Sequence, residues 1–250
     1  MGRDRGGGDA GDHRGDPRAP RHLTGDSAVT EQRLAAILTP GLRSVDVQAR
    51  QAEGAAPPEA LEGKELCILD LEMSGSDPRV HEILDIGAVR VSLEEGLPEE
   101  ASFGTKVRPK HIGTANPAAL RVVGYSPKAW RDAVPLEDAI AELVEFGAGT
   151  VLAGWGIRMD LAFLFEALER TGYEWPFADV VLDIQPVAQA VLAEGTVDSW
   201  NLGHVADRLG IGRLGEHGAL ADAYAAYDVL AKLLELAQSA AGGEPKRARS

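Results

Sequence analysis

Apolar side chains are spread unevenly along the chain. From Met1 to about Asp26, Gly, Arg, Asp and Pro dominate and almost nothing can be buried, a composition that predicts disorder. Leu34, Ile37 and Leu38 form a short stripe that predicts a helix from Thr30, its N-cap, to Leu38, with Pro40 and Gly41 stopping it. Gln51 to Gly63, rich in Ala, Glu and Pro, then reads as a linker. The first run able to enter a core is Leu66-Cys67-Ile68-Leu69-Asp70-Leu71-Glu72. As a strand it puts Leu66, Ile68, Asp70 and Glu72 on one face and Cys67, Leu69 and Leu71 on the other.

Beyond that run, Ser74 to Pro78 is a turn, and Ile83 to Val91 and Phe103 to Val107 are strands. Their short connections predict an antiparallel meander. Asn116 and Pro117 start a helix that Gly124 ends. Helix and strand then alternate: a helix over Leu136 to Phe146, a strand over Thr150 to Ala153, a helix over Asp160 to Arg170 with Gly172 beyond it, and a strand over Val180 to Ile184. Helices at Pro186 to Leu192, Asn201 to Leu209 and Ala219 to Ala237 complete the series. The predicted class is α/β, a mixed sheet with a three-stranded antiparallel meander plus parallel strands, flanked by helices. Its expected limits are residues 63–238, with 1–62 a disordered or weakly structured extension and linker and 239–250 a disordered tail.

Charge changes this picture in one respect. Lys64 to Gln238 carries 14 Lys and Arg against 28 Asp and Glu, so the whole net charge of −14 sits in the folded part. That balance argues against a protein that coats duplex DNA through a long basic face, and leaves room for local phosphate contacts. Lys106, Arg108 and Lys110 alternate along the third strand and its end; such a stripe is more often a solvated edge, yet it is the best candidate for a phosphate-steering patch outside the site. Cys67 is the only cysteine, which excludes an internal disulfide and a cysteine-rich zinc site. No apolar run approaches the roughly 18 residues of a membrane span, and the amino terminus has no signal-peptide core. A soluble, cytoplasmic protein is expected.

The candidate chemistry lies in acids at core positions. Asp70 and Glu72, roughly 7 Å apart on one face of a strand, repel each other beside Leu and Ile unless a cation compensates them. A divalent metal does that; the alternative is a strand ending at Leu69 with both acids in a solvated loop. Asp222 stands on the stripe of Ala226, Val229, Leu230 and Leu233, and His217 precedes it by about one and a half turns. Asp160 opens a helix directly after Gly154-Trp155-Gly156, where a first-turn acid serves equally as a helix partner.

Three segments together, Ile68-Leu69-Asp70-Leu71-Glu72-Met73-Ser74-Gly75, Gly154-Trp155-Gly156-Ile157-Arg158-Met159-Asp160 and His217-Gly218-Ala219-Leu220-Ala221-Asp222, resemble the three motifs of the DEDDh 3'-5' exonucleases. This group includes ribonuclease T, oligoribonuclease and the proofreading exonucleases of bacterial polymerases. The resemblance covers about Lys64 to Ala237, with Trp155 and Gly156 where the family commonly has His and Asn. It implies a ribonuclease H-like fold and two Mg²⁺ or Mn²⁺ ions per site. Asp70 bridges them, Glu72 and Asp222 complete the first site, Asp160 holds the second through water, and His217 is the general base. Met73, Ser74 and Gly75 lie against the terminal nucleotide in this family.

The implied activity is metal-dependent 3'-5' hydrolysis of single-stranded DNA or RNA to nucleoside 5'-monophosphates. The implied partner is a nucleic acid 3' end, with a polymerase or a second copy of the chain beside it and no membrane. A docking or proofreading subunit acting mainly through a polymerase complex is the second class, and the intact set of acids speaks against it. Structural Ca²⁺ fits poorly, because the ligands come from three distant segments instead of one loop.

Overall fold

A computed structural model describes residues 27–94, 96–193, 195–212 and 218–242. The elements are α1 (Ser27–Leu38), β1 (Leu42–Asp46), β2 (Gln51–Ala55), β3 (Glu65–Met73), β4 (Ile83–Ser92), β5 (Glu99–Lys106), α2 (Pro117–Val123), α3 (Leu136–Gly147), β6 (Val151–Gly154), α4 (Arg158–Thr171), β7 (Val180–Asp183), α5 (Ile184–Val191), α6 (Leu202–Arg208) and α7 (Ala219–Gly242). The strands form one seven-stranded sheet in the order β2-β1-β7-β6-β3-β4-β5. The predicted meander β3-β4-β5 is antiparallel, and β6 and β7 run parallel to β3.

Side-chain alternation on β3 divides the core as the sequence predicts. Leu66 and Ile68 pack with Ala226, Val229, Leu230 and Leu233 of α7 and with residues of α1, α5 and α6 on one face of the sheet. Cys67, Leu69 and Leu71 pack with α3 and α4 on the other. Cys67 is fully buried, and burial pushes its thiol up to about 12, so it acts as core. Helix ends follow the local signals: Asn116 Oδ1 accepts from the Ala118 N–H at 2.8 Å, and Gly124 closes α2 at φ 68°.

Residues 1–62 depart from expectation from Ser27 onward. The first helix starts at Ser27 with Thr30 inside it, and the stretch expected to lead into the domain supplies β1 and β2. β1 pairs antiparallel with β7, and β2 pairs with β1 to make the sheet edge. Leu34, Leu38 and Leu42 are buried in the α7-side core, while Val45 and Ala52 cover the α4 side. These strands hide from a periodicity reading because they are five residues each and carry only two large apolar side chains between them, Leu42 and Val45 of β1. At the other end α7 runs to Gly242, past the expected limit of 238. The expected disorder of residues 1–26 and 243–250 lies outside the described residues. No helix among those described is long and apolar enough to cross a membrane.

Candidate active site

The site is built where the sheet opens. β6 pairs with β3 only as far as Ile68, opposite Ala153, and then turns away at Gly154. The far half of β3, which carries Asp70 and Glu72, therefore keeps β4 as its strand neighbour and exposes backbone on the β6 side. Asp160 in the first turn of α4 fills that gap: its Oδ1 accepts a hydrogen bond from the Leu71 N–H at 3.1 Å, and the residue is 8% exposed.

On the α7 face, Asp70, Glu72 and Asp222 converge. Each offers one carboxylate oxygen, and these oxygens all lie within 4.8 Å of one another. The sequence explains the convergence: Asp222 occupies the stripe of α7 that continues into buried Ala223, Ala226, Val229 and Leu230, so packing the helix on β3 brings its acid to the strand's acids. Asp160 approaches from the opposite edge of the same strand. His217 lies outside the described residues; the next residue, Gly218, sits beside Asp85.

Electrostatics point to a missing positive charge. Burial, then repulsion from Asp160, Asp222, Glu72 and Asp85, holds the Asp70 carboxyl well above the usual carboxylate range. Burial and repulsion from Asp222 and Asp85 push Glu72 up to about 7. Burial pushes Asp160 up to about 7 as well, against hydrogen bonds from backbone N–H groups. The charges acting on Asp70 are carboxylates throughout. An all-oxygen donor set this crowded fits a hard divalent cation such as Mg²⁺ or Mn²⁺, which would relieve the repulsion and restore the ionised forms.

Two acids escape a motif reading. Asp85 pairs with Glu72 across β3 and β4, and burial pushes it up to about 6, against a hydrogen bond from the Ala219 backbone and the charge of Lys106. Its signal was available: an acid in the apolar run Ile83 to Val91, the same anomaly that marks Asp70. Asp183, at the end of β7, accepts from the Gly156 N–H at 2.9 Å and from the Gln185 N–H at 3.1 Å. It thus caps α5 and holds the turn before α4. Gly156 adopts φ 63°, which favours glycine. Trp155 is fixed by its indole N–H, which donates to the Trp200 carbonyl at 3.0 Å; Gln185 donates to the same carbonyl at 2.7 Å.

The turn after β3 is closed by its own residues. Ser74 is 1% exposed, and its hydroxyl accepts from the Glu82 N–H at 2.8 Å while its carbonyl accepts from the Asn116 N–H at 2.7 Å. Met73 packs against the α4-side core and Gly75 lies against the His81 ring. Of the basic stripe, Arg108 donates to the Ala133 carbonyl at 2.7 Å and Lys110 pairs with Glu137 at 2.7 Å. Lys106 lies directly across from Asp85, with its ammonium 4.3 Å from the Trp130 ring centroid.

A mixed sheet flanked by helices, with clustered carboxylates at the end of a central strand, is the arrangement of the ribonuclease H-like exonucleases. The family model described as "Exonuclease" matches residues 67–230, and the chain belongs to that family. It is 24% identical over 180 residues to a PolC-type DNA polymerase III of Thermotoga petrophila, covering 71% of this chain and 12% of that protein. It is 27% identical over 169 residues to the DNA polymerase III subunit epsilon of Aquifex aeolicus, covering 67% of this chain and 79% of the relative. Among solved structures, E. coli Exonuclease I in complex with a dT13 oligonucleotide superposes with a TM-score of 0.60 at 21% identity, over 72% of this chain and 42% of that one. The chain thus spans about an eighth of the PolC-type relative and less than half of Exonuclease I.

Proposed function

We propose that the protein is a divalent-metal-dependent 3'-5' exonuclease that removes nucleoside 5'-monophosphates from single-stranded 3' ends. The observation that carries this reading is the meeting of Asp70, Glu72 and Asp222 within 4.8 Å, in surroundings that raise the carboxyls of Asp70 and Glu72 and that a cation would relieve. Those three residues would hold the metal, with Asp160 contributing from the α4 side to a second ion. When bound, the ions supply charge neutralisation at the attacking and leaving oxygens of the phosphodiester.

The chain's own residues do the rest. Asp160 fixes the edge of β3 through Leu71, and Asp183 holds the Gly156 turn that delivers Asp160. His217, five residues before Asp222, takes the proton from the attacking water as a neutral imidazole. The turn Met73-Ser74-Gly75 supports the terminal nucleotide. Single-stranded DNA is the favoured substrate class, in line with the oligonucleotide bound by Exonuclease I. One relative is named a PolC-type DNA polymerase III and another a DNA polymerase III subunit epsilon, which supports action beside a polymerase as a second reading.

The test is a time course on 3'-recessed, blunt and single-stranded DNA and on RNA, with Mg²⁺, Mn²⁺ or EDTA and with products resolved as mononucleotides. His217→Ala should lose orders of magnitude in kcat with substrate affinity nearly unchanged. Internal cleavage, or hydrolysis that survives EDTA, overturns the reading.

A further inference from the structure

Asp85 stands next to the carboxylate cluster without joining it. The residues whose oxygens meet within 4.8 Å are Asp70, Glu72 and Asp222. Asp85, paired with Glu72 in the register, instead turns its carboxylate towards the Gly218–Ala219 backbone at the start of α7. The adjoining Gly218 lies against the same carboxylate, with room for a Cβ only 3.5 Å from Oδ2. Two residues along, Gly87 faces the same helix end: a Cβ there would lie 2.1 Å from the Leu220 nitrogen and 2.2 Å from the Ala219 carbonyl carbon. β4 therefore seats the start of α7 by an acceptor at one position and by the absence of a side chain at the next on that face.

This seat fixes a distance that matters for the proposed function, on which the inference rests. Asp222 is in the first turn of α7, and its N–H donates to the Gly218 carbonyl at 3.1 Å. Asp70 and Glu72 are pinned to β4 by register, opposite Gly87 and Asp85. One strand thus locates both halves of the cluster. We infer that Asp85 is a positioning residue: by capping α7 it holds Asp222 against Asp70 and Glu72, and it sets metal affinity without itself binding the metal.

Partners that orient a ligand typically change metal affinity or activity by about 10–100-fold when removed. The experiment compares wild type, Asp85→Ala, Asp85→Asn and Asp70→Asn by Mn²⁺ calorimetry, by the Mn²⁺-induced rise in melting temperature and by hydrolysis rate. Asp85→Asn keeps an acceptor for the Ala219 N–H and should stay within about threefold of wild type in Mn²⁺ affinity. Asp85→Ala removes the acceptor and should weaken it by about 10–100-fold, with faster exchange of the Ala219 amide. Asp85→Leu, which withdraws the acceptor but keeps nearly the same side-chain volume, reads the same loss if the Ala variant does not fold.

Equal damage in Asp85→Asn and Asp85→Ala would mean that the negative charge acts directly on the ion, and overturns the proposal. So would an Asp85→Ala protein, or its Leu substitute, with wild-type affinity. If wild type itself shows no Mn²⁺ binding, the nuclease reading falls together with this inference; if wild type binds and Asp70→Asn does not, the nuclease reading stands whatever Asp85 does.

Discussion

The Asp160 carboxylate and the Leu71 peptide are joined by a hydrogen bond of 3.1 Å that spans the gap left where β6 departs from β3. The bond gives an acid that is nearly fully buried a structural task beside its proposed chemical one. It also ties the first turn of α4 to the peptide that separates Asp70 from Glu72, so the two sides of the site move together.

Substitution of Asp160 separates these tasks. Asp160→Ala leaves the buried Leu71 N–H without its acceptor, at a cost of about 1–3 kcal/mol, and should abolish hydrolysis. Asp160→Asn keeps an acceptor and removes a charge from a repelling group, so its melting temperature should stay near or above wild type while activity is still lost. Denaturant melts beside rate measurements decide this; equal destabilisation by both substitutions would contradict it.

The raised carboxyls make stability depend on pH and on metal together. Glu72 and Asp160 rise from ordinary values of 4.5 and 3.8 to about 7 in the fold. Between those values the folded protein binds more protons than the unfolded chain, so stability falls as pH rises through that window and levels off above about 7. In EDTA the melting temperature should therefore drop from about pH 5 to about pH 8. The rise in melting temperature on adding Mn²⁺ should grow over the same range, because the cation favours the ionised forms. Asp70→Asn should flatten the fall in EDTA and remove the response to Mn²⁺. A melting temperature independent of pH would place these acids in solvent.

How much of this could be read from the sequence depended on whether burial left a trace in side-chain type. β3, β4, α4 and α7 carry dense apolar patterns, so their faces, and with them the positions of Asp70, Glu72, Asp160 and Asp222, were legible. Asp85 broke the same kind of pattern but lies outside the motifs, and its partner is a backbone N–H that no sequence displays. The network of Asp183, Gly156 and Trp200 is closed by main-chain groups as well. β1 and β2 were illegible for a different reason: an edge ribbon gains its stability from backbone pairing to β7 and needs few apolar side chains.

That ribbon predicts the effect of truncation. A chain starting at Glu59 lacks α1, β1 and β2, and with them Leu38 and Leu42, which are both fully buried. Their burial alone accounts for roughly 3–6 kcal/mol against a typical total stability of about 5–15 kcal/mol. β7 would also become a bare edge that invites pairing with other chains. The truncated protein should melt well below the full chain and aggregate, as read by calorimetry and light scattering. Unchanged melting would make the ribbon an appendage of the domain.

On the proposed function, Lys106 should make the substrate contact nearest the carboxylate cluster. Glu72, Asp85 and Lys106 are successive partners across β3, β4 and β5, so this cation lies in one row with the acids of the site. Arg108 donates to the Ala133 carbonyl and Lys110 pairs with Glu137, while the Lys106 ammonium keeps a longer contact of 3.4 Å to the Ala129 carbonyl beside the Trp130 ring. Lys106 is thus the cation expected to meet a phosphate upstream of the scissile one, whereas the 28 acids between Lys64 and Gln238 repel a longer polyanion. Affinity for single-stranded DNA should thus stop rising after a handful of nucleotides, and its salt dependence should be shallow beside that of basic-groove binders. Lys106→Ala should raise KM severalfold with kcat little changed and lower the salt slope by about 1, with a smaller effect from Arg108→Ala. Duplex ends should react slowly unless frayed, because the last base must leave its stack to enter the site. Affinity that keeps climbing with strand length and collapses with salt would require a basic track elsewhere on the surface, and would displace Lys106 from this role.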